Sequence, residues 1–365
     1  MNYIQVDPDR RARRFYSEHR SPVSSEAPGH VQYRVLNSAE LLGLHRGKRE
    51  FAHEILTGLA GVPKRLASKY FYDDTGSRLF RQIMTLPEYY LTRCEREILC
   101  EHGADILGHL RGRSVNLVDL GAGDGTKTLL IADRASEADV DLRYVPIDIS
   151  KGAMEGLIER VEQTRPGLRC CGLVSEYIDG VHWLGAQQDS RAHLVLLLGS
   201  NIGNFDRAQS RDFLRRLWSA MRDQDYLLIG FDLKKDIDLM QRAYNDDQGI
   251  TRAFNLNLLE RINRELGGHF DPEKFQHFAP YNIHAGAMES YLVSVEAQEV
   301  FVEALEQKFE FAPWEPIQTE CSYKFLMSDV ESLARETGFS IVSNYYDRKG
   351  WFVNSLWRVV KSKTP

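Results

Sequence analysis

The stretch Ser114–Thr128, SVNLVDLGAGDGTKT, constrains the fold more than any other part of the 365-residue chain. A short apolar run enters a turn with glycine at 121, 123 and 125, and an apolar helical pattern, LLIADRA, leaves it. Strand, glycine turn and helix in that order define the open end of a parallel sheet, where backbone approaches a ligand closely. The unit repeats. RYVPIDIS reads as a second strand ending on Asp148 and KGAMEGLIERVEQT as its helix. LRCCGLVSEY, HLVLLLGSNIGNF and DYLLIGFDL give a third, fourth and fifth strand. Alternation of this kind predicts an α/β, doubly wound sheet.

The rhythm changes on both sides. Residues 50–112 place apolar residues at helical spacing around an aromatic, turn-rich centre, KYFYDDTGSRLFRQIMTLPEYY. After residue 240, RAYNDDQGITRAFNLNLLERINREL reads as helical, and AMESYLVSV and QEVFVEALEQKFEFA read as extended. VESLARETGF, SIVSNYYD and WFVNSLWRVVK then return to helix, strand and strand. The expected division is an N-terminal extension of low order over 1–40 and a second, α+β substrate-binding lid from 41–110 and 245–325. Residues 111–244 and 326–365 would form the sheet domain.

A formal net charge of −6 offers no field for nucleic acid. Arg10, Arg11, Arg13 and Arg14 read as a solvated arm. Five cysteines show no CxxC spacing, so neither a zinc site nor a disulfide framework is expected. No apolar run approaches the roughly 20 residues of a membrane helix, and the N-terminus has no apolar signal core. The expectation is a cytoplasmic monomer acting on a small molecule, with no metal, membrane or nucleic acid.

The glycine loop has GxGxG spacing, because Thr126 stands where a dinucleotide fingerprint needs glycine. In class I methyltransferases such a loop faces the amino acid part of S-adenosylmethionine. Asp148, one strand–helix–strand unit downstream, can accept from both ribose hydroxyls. Glu176 and Tyr177 follow the third strand, where an acceptor and a ring can hold adenine; they fit an ordinary surface pair as well. Three further stretches are unusually polar and aromatic: Lys69–Tyr90, Gly199–Phe205 and Thr319–Lys324.

Together these motifs resemble the histidine Nα-methyltransferase family of ergothioneine biosynthesis, whose members convert histidine to its trimethylated betaine, hercynine. The resemblance runs from about residue 50 to the C-terminus, through KYFYDDTGSRLF, LPEYYLTRCEREIL, DLGAGDGTKT, VPIDIS, LGSNIGNF, RAYNDDQGITRAFNLNLLERINREL and TECSYKF. It implies a class I, Rossmann-like fold with S-adenosylmethionine as cofactor. It implies cofactor contacts by Gly121, Gly123, Lys127, Asp148, Glu176 and Tyr177. By the same resemblance Asn204 and Tyr244 grip the substrate carboxylate, Tyr72 stands near the reacting amine, and Tyr89, Glu320 and Ser322 read the imidazole. Ser290 departs from the family, which usually has a methionine lining the pocket there. The smaller side chain opens the alternative of another aromatic amino acid, such as tryptophan or a derivative.

Overall fold

The computed structural model describes residues 31–36, 40–187 and 189–361. Its strands in chain order are β1 (Val31–Val35), β2 (Lys64–Arg65), β3 (Ser114–Leu120), β4 (Asp141–Asp148), β5 (Arg169–Val174), β6 (Ala192–Leu197), β7 (Tyr226–Asp232) and β8 (Phe275–Phe278). They continue as β9 (Tyr281–Asn282), β10 (Ala287–Ser294), β11 (Gln298–Val302), β12 (Gln307–Phe311), β13 (Pro316–Tyr323), β14 (Phe339–Tyr346) and β15 (Phe352–Val359). The helices are α1 (Glu40–Ala60), α2 (Asp74–Ile83), α3 (Tyr90–Gly108), α4 (Thr126–Ala132) and α5 (Lys151–Thr164). After them come α6 (Tyr177–Ala186), α7 (Arg207–Ala220), α8 (Ile237–Tyr244), α9 (Ile250–Leu266) and α10 (Met327–Glu336).

Eight strands form the large sheet in the order β1-β5-β4-β3-β6-β7-β15-β14. The first six are parallel; β15 runs antiparallel to both its neighbours. The central strands read as continuous apolar runs because both faces are covered. Leu117, Leu194 and Leu228 join the core under α3, α4 and α5. Their neighbours Val118, Val195 and Leu227 join the opposite core, under α6, α7 and α10.

A smaller sheet, β2-β13-β10-β8, has its own core. Phe51, Ile55 and Leu59 of α1 meet Phe254, Leu258 and Ile262 of α9 there, together with Leu292 and Ile317. Segments far apart in sequence thus close one apolar cluster.

The structure corrects the expected boundaries in three places. The segment taken as part of a loose extension contributes Val31–Val35, which pairs in register with Cys170–Val174 as the edge strand of the large sheet; residues 1–30 lie outside the described residues. Within the first stretch expected for the lid, Leu91, Ile98, Leu99 and Ile106 of α3 bury into the core of the large sheet. The helix expected over 242–266 is two helices. They break where Asp246 accepts from the backbone N–H groups of Ile250 and Thr251, at 2.9 and 2.8 Å, and caps the second helix.

Candidate active site

Two sets of residues meet at the C-terminal edge of the parallel strands. The first belongs to the glycine loop. Gly121, Gly123 and Gly125 all have positive φ, at 74°, 53° and 70°. A Cβ on Gly121 would lie 2.5 Å from the Tyr177 hydroxyl, whereas one on Gly123 would meet open space. The loop is therefore closed on one side by Tyr177 and open on the other. Asp148 ends β4 beside it and accepts from the Gly123 and Ser150 backbone N–H groups at 3.2 and 2.8 Å. Burial pushes the Asp148 carboxyl above the usual range, and those two N–H groups oppose the shift.

Lys127 leaves the first turn of α4 and pairs with Glu95 of α3 at 2.6 Å. Glu95 is fully buried and also accepts from the Gly199 N–H at 2.9 Å. One carboxylate thus ties the glycine-loop helix to the loop after β6. Glu95 lay unremarked within TRCEREIL, because nothing local shows that a helical glutamate will point under a sheet. Glu176 is exposed at the N-cap of α6, and the ring of Tyr177 lies edge-on to Phe213 at 6.4 Å. A backbone cradle with left-handed glycines, an open side and a carboxylate at the next strand end fits S-adenosylmethionine. Asp148 would hold the ribose, and the Gly121–Gly123 backbone with Lys127 the amino acid end.

The second set lines a pocket next to this loop. Tyr72, Tyr89, Asn204, Tyr244, Glu320 and Ser322 all face it, with Phe80, Ile83, Leu91, Thr251 and Phe254. Gly199, Ser200 and Asn201 join it to the glycine-loop side. Tyr72 is placed by a tight local fold. Asp73 caps α2 by accepting from the Gly76 N–H at 2.7 Å and takes a second bond from Asn257 of α9 at 2.8 Å. The Tyr72 ring then sits edge-on to Phe80 and Phe254, with centroids 5.5 and 5.7 Å apart. Tyr72 is 40% exposed as a residue, while desolvation around its hydroxyl and the nearby Glu320 charge raise it above the usual phenol range, so it is a neutral phenol.

Glu320 is in β13. Among the described residues its carboxylate makes no hydrogen bond. Desolvation pushes its pKa up to about 7, only partly offset by the charge of Lys324. Glu320 is half-exposed and lines the pocket, so its carboxylate is open to a donor from a ligand. The Ser322 Oγ lies on the same face of the strand, 2.8 Å from the Tyr244 Oη.

Ser290 is not among the pocket-lining residues. It is 2% exposed in β10, directly opposite Glu320, and its carbonyl accepts from the Thr319 hydroxyl at 3.1 Å. The register shift between Ser290 and Tyr291 places Thr319 there. Ser290 thus lies beside Glu320 on the neighbouring strand. Phe80 and Phe254 are the pocket residues the motifs contained but did not single out; in sequence they read as core positions of amphipathic helices.

The fold and these two adjoining sets define a class I S-adenosylmethionine-dependent methyltransferase with a polar, aromatic acceptor pocket. The pattern that defines the family described as histidine-specific, SAM-dependent methyltransferases matches residues 51–359, and the chain belongs to that family. It is 35% identical to a histidine N-alpha-methyltransferase of Mycolicibacterium smegmatis over 325 residues, 88% of this chain and 99% of the relative. An ergothioneine biosynthesis protein 1 of Schizosaccharomyces pombe is 30% identical over 77% of this chain and 37% of its own length. A 4-dimethylallyltryptophan N-methyltransferase of Claviceps purpurea is 27% identical over 78% of this chain and 88% of its own. Among solved structures, the CcbJ methyltransferase of Streptomyces caelestis aligns with a TM-score of 0.40 and 11% identity, covering 76% of this chain and 98% of its own.

Proposed function

We propose that the protein transfers methyl groups from S-adenosylmethionine to the α-amine of L-histidine, three in succession, giving hercynine, the first step of ergothioneine biosynthesis. One observation carries the substrate assignment. Glu320 has no hydrogen-bond donor among the described residues, and it stands on the same strand face as the Ser322–Tyr244 hydroxyl pair. An imidazole offers one N–H and one bare nitrogen, which match a carboxylate and a hydroxyl. A site built around such groups rejects analogues that leave them unpaired. Family membership and the histidine-methylating relative support the same reading.

When bound, S-adenosylmethionine supplies an electrophilic methyl group and a positive charge that lowers the pKa of a neighbouring amine. The chain's own contribution is positioning. Asn204 donates to the substrate carboxylate. Tyr89 closes the pocket beside Phe80 and Tyr244, at centroid distances of 6.2 and 6.4 Å. The Tyr72 oxygen accepts from an amine N–H and turns the lone pair toward the methyl donor. Each of the first two transfers leaves an N–H cation that must lose its proton before the next. Tyr72, a neutral phenol, orients the amine and relays that proton through its hydroxyl toward water rather than storing it as a phenolate base. The faces of Tyr72, Phe80 and Phe254 suit the cation that grows as methyls accumulate. Transfer ends when the nitrogen is quaternary and has no lone pair.

The substrate-binding unit in this reading is residues 41–89 with 245–325, working against the sheet unit as a monomer in the cytoplasm. No helix among the described residues is long and apolar enough to cross a membrane. The second reading is tryptophan or a derivative, favoured by the small Ser290 beside Glu320. Initial rates with histidine and tryptophan at equal concentration separate the two. The histidine reading expects histidine to win by a hundredfold or more, roughly the discrimination a hydrogen-bonding pocket provides. A faster rate with tryptophan overturns it.

A further inference from the structure

Beneath the pocket lies a buried ion cluster that no step above uses. Lys324 and Asp232 are both fully buried and pair at 2.8 Å. Asp232 also pairs with Lys235 and accepts from the Tyr90 hydroxyl at 2.9 Å. Lys324 has two further partners: its ammonium donates to the Tyr244 hydroxyl at 2.7 Å and to the Ser322 hydroxyl at 2.9 Å. All three of its N–H groups are thereby spent.

Counting hydrogens fixes what the pocket receives. Each hydroxyl oxygen accepts one N–H from Lys324, so both hydroxyl protons point away from it. The two oxygens are 2.8 Å apart, and one proton is used between them. Either oxygen can donate across this contact. The phenol is the stronger acid, so Tyr244 is taken as the donor to Ser322. That leaves the substrate carboxylate to Asn204 instead of the Asn204–Tyr244 pair that the resemblance implied. Ser322 then accepts twice, and its own O–H is the one proton left for a ligand. Such a group calls for an acceptor and is left unpaired by a ring that has none.

We infer that Lys324 is a specificity-determining positioning residue: it locks the Tyr244–Ser322 pair so that Ser322 acts only as a donor, which selects a ring with a bare nitrogen and disfavours an indole. The inference rests on the histidine reading. Lys235 serves as the internal comparison, because it neutralises the same Asp232 without touching either hydroxyl. Lys324→Met leaves Asp232 paired with Lys235 and Tyr90, so the buried carboxylate keeps a cation; Lys235→Met leaves it with Lys324 and Tyr90.

The test is calorimetric affinity for histidine in wild type and both variants, each saturated with S-adenosylhomocysteine, with tryptophan measured as a competitor. The expected result is a loss of histidine affinity of tenfold or more in Lys324→Met and less than threefold in Lys235→Met. The tryptophan inhibition constant should move less than threefold in either. Equal histidine losses in the two variants would reduce Lys324 to a neutraliser of Asp232 and overturn the inference, as would an equal loss for tryptophan. A wild-type protein that binds no histidine would instead overturn the substrate reading.

Discussion

The two halves of the site are built in opposite ways. The cofactor side is built around backbone, mostly within a short stretch of chain. Residues 119–148 supply the left-handed glycines, the strand end and the carboxylate, and β3 pairs directly with β4. The substrate side is made of side chains from α2, α3, α8, α9, β13 and the loop after β6, and it sits on a buried cluster of three charges. A backbone cradle suits a cofactor shared by many enzymes. A side-chain pocket can be retuned one residue at a time. Substitutions on the first side should therefore act on cofactor affinity, and those on the second on the choice and orientation of the acceptor.

Gly121→Ala gives the largest expected effect. A Cβ there meets the Tyr177 hydroxyl and a positive φ at once. The combined overlap and strain, about 3 kcal/mol, correspond to roughly a hundredfold loss of affinity for S-adenosylhomocysteine. Calorimetry checks it, and histidine KM at saturating cofactor should stay within threefold. Tyr72→Phe works at the seam between the halves. It should lower kcat roughly tenfold or more while KM for histidine changes little, since orientation of the amine matters most in the transition state. An unchanged kcat would remove Tyr72 from the mechanism.

Glu320→Ala acts on the acceptor side alone. KM for histidine should rise about tenfold or more, at least ~1.4 kcal/mol, without change in cofactor affinity. The smallest effect is on the ligand-free protein. The Glu320 carboxyl holds its proton up to about pH 7 when folded, against an ordinary value of 4.5. Between those limits the folded state binds more protons than the unfolded one, so this residue makes stability fall as pH rises from about 4.5 to about 7 and then level off. Glu320→Gln should remove that decline, and melting temperatures above pH 7 should rise relative to wild type. Identical melting curves at every pH would show that the carboxyl is not strained in the empty pocket.

The same contrast governs how much could be read from the chain. The glycine loop, Asp148 and the strand alternation are local patterns, and they lie where spacing placed them. The small sheet was visible as extended segments, yet its pairing of Lys64–Arg65 with Ile317–Gln318 joins residues about 250 positions apart. No periodicity reports such a pairing. Val31–Val35 lies in a polar, loop-like context, and only its parallel pairing with β5 makes it a strand. Glu95, Asp232 and Lys324 were hidden for a related reason. A charged residue in an amphipathic segment reads as solvated, and its burial depends on partners that only the folded chain supplies. Ser290 was legible as a departure from the family, but its place beside Glu320 follows from the pairing of β10 with β13.

The most direct test of the central claim is mass spectrometry of the products formed by the purified protein from S-adenosylmethionine and a mixture of the twenty amino acids. The account predicts a gain of three methyl groups on histidine, with fragmentation placing all of them on the α-nitrogen and the other nineteen unchanged. Methylation of a different amino acid, or of the imidazole ring, would contradict the roles given to Glu320 and Ser322 while leaving the glycine-loop cofactor site intact.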